Sequence, residues 1–281
     1  MTAPQDHAGS SSLHARGQIA LSHCIGWLAD RWVPPFLRNP LFRTYGALTG
    51  ANLDEMRGAP RDHASLGAFF VRRLRDGARP FEADPSVLPS PVDALVQASS
   101  PIERGQVVEA KGRTYALREL LAGVGADVEL EGGHQVTLYL GPKDYHRIHS
   151  PLDALLVEAR HVPGRRWSVQ PRVLAARKVL AVNERVVLRL EADGRTFFMV
   201  LVGALIVGRI RVVGLERFPD GPLPEPRRFA RGAELGRFEM GSTVVLVTPP
   251  GALVAGSAPA EGAAVKLGAP LAGWQPATPT P

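Results

Sequence analysis

Two short stretches hold most of the residues able to do acid–base or nucleophilic chemistry. Tyr139 to Pro151 reads YLGPKDYHRIHSP and sits where an apolar run enters a loop. Asp144, His146 and His149 fall close together there, beside Lys143 and Arg147. Two histidines three apart could share a face of a turn and pair on a metal, but no third Cys, His or Glu stands at a known zinc spacing. A histidine pair flanked by Asp, Lys and Arg points to function more than a lone histidine does. The second stretch, Gly236 to Val245, reads GRFEMGSTVV. A tight turn leading into a strand accounts for Gly241-Ser242-Thr243; so does an activated hydroxyl. Serine is a weak nucleophile until a base takes its proton. A preceding glycine gives the backbone room to bring Oγ toward the carbonyl before it. A third position is Asp93, in Ser90-Pro91-Val92-Asp93-Ala94, where aspartate reads as a turn former or as the orienter of a histidine. Asp93, one of His146 and His149, and Ser242 together would supply orienter, base and nucleophile, a set recognised by geometry rather than chain order.

The elements that must position these residues divide into two kinds. Residues 1–15 show no apolar periodicity and read as a disordered leader. Residues 16–57 read as helices broken at Pro34-Pro35 and Pro40, and residues 64–75 as a further short helix with Leu66, Phe69, Phe70 and Leu74 on one side. From about residue 88 the pattern changes to short strands: Val107–Ala110, Gln135–Leu140, Leu155–His161, Arg185–Leu190, Thr196–Gly208 and Thr243–Thr248. Turn signals such as Asp193-Gly194 separate them, and one short helix, Ala116–Leu121, interrupts. Residues 219–226 (PDGPLPEP) read as a Pro-rich loop, and 275–281 as an unstructured tail. The expected fold is α+β: N-terminal amphipathic helices followed by a mainly antiparallel β body.

Composition fits this picture. Gly 29 and Pro 25 in 281 residues favour many turns and short strands. Hydrophobic residues at 45% with 21% charged exclude wholesale disorder. The single cysteine, Cys24, excludes an intrachain disulfide and a cysteine-based zinc site. The apolar run Phe197–Gly208 is shorter than the roughly 20 residues a membrane-spanning helix needs, and it reads as a buried strand. A net charge of +6 fits an anionic partner, a phospholipid surface or nucleic acid. Leu21, Cys24, Ile25, Leu28 and Trp32 recur at helical spacing. A second apolar stretch with Phe36, Leu37, Leu41, Phe42 and Tyr45 carries Arg38 and Arg43 among them. Basic residues beside Trp and Phe suit a helix lying at a headgroup interface, or an amphipathic helix packed on its own domain.

At these residues the chain resembles the pyruvoyl-dependent, self-cleaving phosphatidylserine decarboxylases of bacterial type. Phe69-Phe70-Val71-Arg72 with Leu74-Arg75 and Arg79-Pro80 is similar to that family's FFxRxLxxxxRP segment, and Ser90-Pro91-Val92-Asp93 to its SPxDG segment. Ala110-Lys111-Gly112 through Leu121, Leu140 to Pro151, and Gly232 to Val244 resemble further ordered motifs. Ala94 replaces the glycine after the family's aspartate, and Met240 replaces leucine in its LGST cleavage motif, an apolar swap of similar volume.

The resemblance implies a two-stage life. Ser242 Oγ attacks the Gly241 carbonyl with His149 as base and Asp93 as its orienter. The chain then splits between Gly241 and Ser242, and residue 242 becomes a covalent pyruvoyl group. It implies a Schiff base from that group to the amine of phosphatidylserine, loss of CO2, and proton return at Cα by His146, giving phosphatidylethanolamine with no metal. The implied organisation is a leader (1–15), membrane-associating helices (16–62), a catalytic body (63–241), and an α chain (242–281) that stays associated with the β chain. Implied partners are phosphatidylserine and an anionic membrane surface on the cytoplasmic face, met peripherally, with a homodimer compatible and no nucleic acid. Three other readings fit part of the chain. One is a zinc-dependent hydrolase on a β-sandwich using Asp93, His146 and His149. Another is a carrier-like β domain around Lys266, and the last is a catalytically inactive lipid-binding relative.

Overall fold

The computed structural model describes residues 27, 29–110, 113–174, 178–204, 210–219, 221–239 and 242–277. The leader, the stripe Leu21, Cys24, Ile25 and Leu28, the dipeptide Lys111-Gly112, Met240, Gly241 and residues 278–281 lie outside the described residues. Among the described residues run the α-helices α1 (Pro35–Thr49), α2 (Leu66–Phe70), α3 (Leu117–Leu121) and α4 (Pro171–Leu174), with a short 3-10 turn at Pro60–Asp62. Strands β1 (Val87–Pro89), β2 (Ala94–Pro101), β3 (Gln106–Ala110), β4 (Arg113–Ala116), β5 (His134–Leu140), β6 (Arg147–His149), β7 (Ala154–Val162) and β8 (Arg185–Ala192) lead into the second half. There follow β9 (Arg195–Gly203), β10 (Ile210–Val212), β11 (Gly221–Phe229), β12 (Glu234–Phe238), β13 (Ser242–Thr248), β14 (Ala264–Val265) and β15 (Pro270–Gly273).

Eight strands form the main antiparallel sheet in the order β11-β7-β8-β9-β13-β5-β2-β14. A second sheet, β10-β12-β6, carries the histidine stretch. The Asp193-Gly194 turn signal is realised. Both residues have positive φ (51° and 73°) and join β8 to β9 as a two-residue hairpin. β13 lies between β9 and β5 and is buried along its whole length. Because side chains alternate along a strand, it feeds two cores. Val244 and Leu246 join one cluster, with Leu138, Leu140, Ile148, Leu235 and Phe238. Val245 and Val247 join the other, with Tyr115, Leu120, Phe198 and Val200.

Several elements depart from the sequence reading for local reasons. The helix expected over 64–75 ends at Phe70, and Leu74 instead forms a bridge with Met56. α1 runs through Pro40. The amide that proline lacks would have met the Phe36 carbonyl, on an exposed flank where water can take its place. The Pro-rich segment, expected as a loop, is the edge strand β11. Its pairing with β7 shifts register between Pro222 and Arg227, so Pro224 and Pro226 owe the ladder no hydrogen bond. Residues 275–277 are held rather than loose: the Gln275 and Ala277 amides donate to the carbonyls of Ala252 and Asp193. α1 packs lightly, stacking Phe42 on Phe69 at 4.7 Å between ring centres, with Met56 in the same small cluster. Its other side leaves Phe36, Leu37, Leu41 and Leu48 exposed.

Candidate active site

Ser242 opens β13, opposite Leu140 of β5 on one side and Gly203 of β9 on the other. Alternation puts its side chain on the face of Val244 and Leu246, toward the core that also receives Ile148 of β6 and Phe238 of β12. It is fully buried, and its Oγ has no hydrogen-bond partner. A buried hydroxyl left unpaired is costly, and at a strand start it is a group waiting for a partner.

Three loops meet at this end of the sheet. Leu95 of β2 lies opposite Tyr139, and the next position of β5, Leu140, lies opposite Ser242. Asp93, just before β2, is therefore about two strand spacings from Ser242, roughly 10 Å across the sheet. The His149 amide donates to the Pro91 carbonyl at 3.0 Å, tying the Asp93 loop to β6. The Phe238 amide donates to the His146 carbonyl, also at 3.0 Å, so His146 lies four residues of chain from Ser242. That link spans at most about 14 Å when extended.

The two histidines have different surroundings. His146 is fully buried under Phe70, with ring centres 4.0 Å apart, and its Nδ1 lies 2.8 Å from the Asp144 carbonyl. His149 is half-buried between Phe81 and Tyr145, its Nδ1 2.7 Å from the Gly232 carbonyl. A carbonyl only accepts, so each Nδ1 carries the proton and each Nε2 presents a lone pair. Both Nε2 atoms are buried and unpartnered. Burial pushes the His146 pKa down to about 3, against the smaller upward pull of the Asp144 carbonyl. Burial also lowers that of His149. Both rings are therefore neutral bases at pH 7.

Asp93 is buried and forms no hydrogen bond to either histidine. Arg79 grips it with Nε on Oδ1 at 2.9 Å and Nη2 on Oδ2 at 2.7 Å, and the Leu267 amide adds a bond of 2.8 Å. Burial alone would raise its pKa, but the Arg79 and Leu267 bonds outweigh burial and hold the carboxyl below its ordinary value. Asp144 closes its own turn by accepting the Gly141 amide at 2.8 Å, and burial raises its pKa. Ala94, at the position where the motif carries glycine, begins β2 with its methyl buried in the larger core.

Arg79 went unassigned in the sequence, although it lies in a motif quoted above; its partners Asp93 and Glu55 are distant in the chain. Arg147 was likewise missed. Its Nη1 meets both carboxylate oxygens of Glu234 at 2.7 and 2.8 Å, and its Nε donates to the Val71 carbonyl. Those bonds fix β6 against β12 and against the segment after α2. Two cavities adjoin the histidine stretch. One of about 320 Å3 has His149, Tyr145 and Phe81 in its wall and Arg57, Arg73 and Arg75 at its rim. The other, of about 120 Å3, is lined by Asp93, Asp144, Arg72 and Lys266 among others. Arg79, Leu74 and Tyr145 line both. Among the described residues no three His, Cys, Asp or Glu side chains are grouped to hold a metal.

The profile of one protein family, phosphatidylserine decarboxylase, matches residues 66–273. A phosphatidylserine decarboxylase proenzyme of Anaeromyxobacter sp. (strain K) is 38% identical over 275 residues, covering 94% of this chain and 97% of the relative. A proenzyme of the same name from Aliivibrio salmonicida (strain LFI1238) is 40% identical over 276 residues, covering 91% of each. One from Hahella chejuensis is 38% identical over 257 residues, covering 86% and 85%.

Proposed function

The chain belongs to the phosphatidylserine decarboxylase family, and from that premise we propose how its residues perform the chemistry. The protein is a carboxy-lyase that converts phosphatidylserine to phosphatidylethanolamine and CO2. It is made as a proenzyme that processes itself between Gly241 and Ser242. The observation that carries this reading is Ser242 Oγ, buried and unpaired at the start of the central strand, with two neutral imidazoles whose Nε2 atoms are unpartnered, one in β6 and one just before it.

His149 Nε2 takes the Ser242 proton, and Oγ attacks the Gly241 carbonyl. The peptide bond becomes an ester and the residue 242 nitrogen a free amine. Removal of the Cα proton then expels the Gly241 carboxylate and leaves dehydroalanine, and water replaces its nitrogen, releasing ammonia. Only Ser, Cys or Thr carries the β-oxygen or sulfur this needs. The Gly232 carbonyl fixes the His149 tautomer. Asp93, expected to orient His149, instead lies on Arg79 and the Leu267 amide, and its ionised carboxylate is a fixed negative charge beside the site rather than a partner of either ring. The pyruvoyl group this leaves at residue 242 fits the site, because a buried, water-poor strand start with two bare imidazole nitrogens suits a ketone flanked by an amide. When present, it accepts the substrate amine and draws electrons as CO2 departs. His146, under Phe70 and away from solvent, rests neutral with Nε2 bare; it takes up a proton there during turnover and passes it to Cα.

Cleavage leaves one fold. β13 is laddered to β9 and β5 on both sides, so the α chain beginning at Ser242 stays in the sheet. The protein meets the bilayer peripherally, on the cytoplasmic face, through Trp27, Trp32 and the exposed side of α1. Arg31 and Arg38 lie over those two tryptophan rings at 3.5 and 5.5 Å. Among the described residues no helix is long and apolar enough to cross a membrane. The test is CO2 release from phosphatidylserine by the purified protein. Wild type is expected to release it and Ser242→Ala to release none; activity in Ser242→Ala would overturn the reading.

A further inference from the structure

Arg72 is a buried cation without an anion. It is 3% exposed; its Nη2 alone has a hydrogen-bond partner, the Lys143 carbonyl at 3.2 Å, and the guanidinium lies 5.5 Å from the centre of the Phe69 ring. Its Nε and Nη1 are buried and unpartnered. The neighbouring carboxylates are engaged elsewhere: Asp93 by Arg79 and the Leu267 amide, Asp144 by the Gly141 amide. Burial works against its charge. A guanidinium so placed is costly unless something negative comes to it. Arg72 lines the cavity of about 120 Å3 together with the cations Arg79, Lys143 and Lys266 and the carboxylates Glu55, Asp93 and Asp144, of which Asp93 also stands 3.6 Å from Lys266 Nζ. Phe70, two residues earlier, covers His146, so the same short segment serves the reacting centre.

We propose that Arg72 binds the phosphodiester of the substrate lipid in this cavity, with Lys143 and Lys266 beside it. The inference rests on the decarboxylase reading. Phosphatidylserine carries two anions. Its carboxylate loses its charge as CO2 leaves, so a guanidinium on that group would stabilise the ground state and slow the reaction. The phosphodiester keeps its charge throughout. Binding it is uniform between ground and transition states and shows in KM rather than in kcat. The planar guanidinium fork matches phosphate oxygens.

The test uses the full chain, with self-cleavage first checked by intact mass, and a short-chain dihexanoyl phosphatidylserine as substrate. Arg72→Gln is expected to raise KM by about tenfold or more, the loss of a charged hydrogen bond, and to change kcat far less. Arg72→Lys should raise KM less. Inorganic phosphate should compete with the lipid in wild type, and compete more weakly in Arg72→Gln. An unchanged KM in Arg72→Gln overturns the proposal. So does inhibition by phosphate that is not competitive with the lipid, which would place a free anion outside the substrate site. Should Arg72→Gln fail to fold, the wild-type competition and Arg72→Lys still decide. A cleaved wild type that releases no CO2 would instead sink the decarboxylase reading itself.

Discussion

His146 and His149 differ in environment, so their substitutions should part ways. With His149 as the base of self-cleavage, His149→Ala is expected to remain one uncleaved chain. His146→Ala should cleave and then turn over about 10²–10⁴-fold more slowly, the usual worth of a positioned acid or base. Gel analysis with a decarboxylation assay checks both, and the reverse pattern would exchange the two roles. Burial also makes His146 a pH-dependent element of stability. Its folded pKa, about 3, lies below the unfolded value of about 6.5, so between the two the unfolded chain binds the extra proton. Its contribution is full above about pH 6.5 and is lost as pH falls toward 3. The urea midpoint is expected to fall across that window, and to fall less steeply in His146→Gln. Equal slopes in the two proteins would contradict the assignment.

The elements that hold the candidate site are separate from the exposed face of α1. α1 offers little to the fold beyond Phe42 and Gly46, while Trp32, Phe36 and Leu37 face solvent. Replacing those three exposed residues with serine should leave thermal stability nearly unchanged, since exposed substitutions usually stay within about 0.5 kcal/mol each. Co-sedimentation with phosphatidylserine vesicles should drop, whereas turnover of a short-chain soluble substrate should persist. Undiminished vesicle binding would exclude this surface. The strands were largely legible in the sequence, because buried runs such as 135–140 and 243–248 are β-branched and bounded by turns. β11 was not, since three prolines hide an edge strand whose register slips around them. The short α2 was overestimated because its apolar spacing continues into Leu74, which pairs with Met56 instead. The site residues stood out by type and motif; their partners did not. Arg79 on Asp93 and Arg147 on Glu234 are long-range pairings that no local pattern signals.

At the scale of the whole molecule, the charge of +6 has the sign that an anionic bilayer attracts, the partner proposed above. Attraction between exposed charges is screened within a Debye length of about 8 Å at physiological salt. Vesicle binding should therefore weaken from 50 to about 500 mM salt. It should keep a salt-resistant remainder from the exposed tryptophans and leucines. Salt-independent binding would remove charge from the account. The deeper claim is that one chain becomes two that share one sheet, with β13 opening the second. Intact-mass measurement of the purified protein tests it most directly. The expected result is a fragment ending at Gly241 and a 40-residue fragment of residues 242–281 with a blocked N-terminus, held together until denatured. A single uncleaved chain of 30.2 kDa in a preparation that releases CO2 would contradict it.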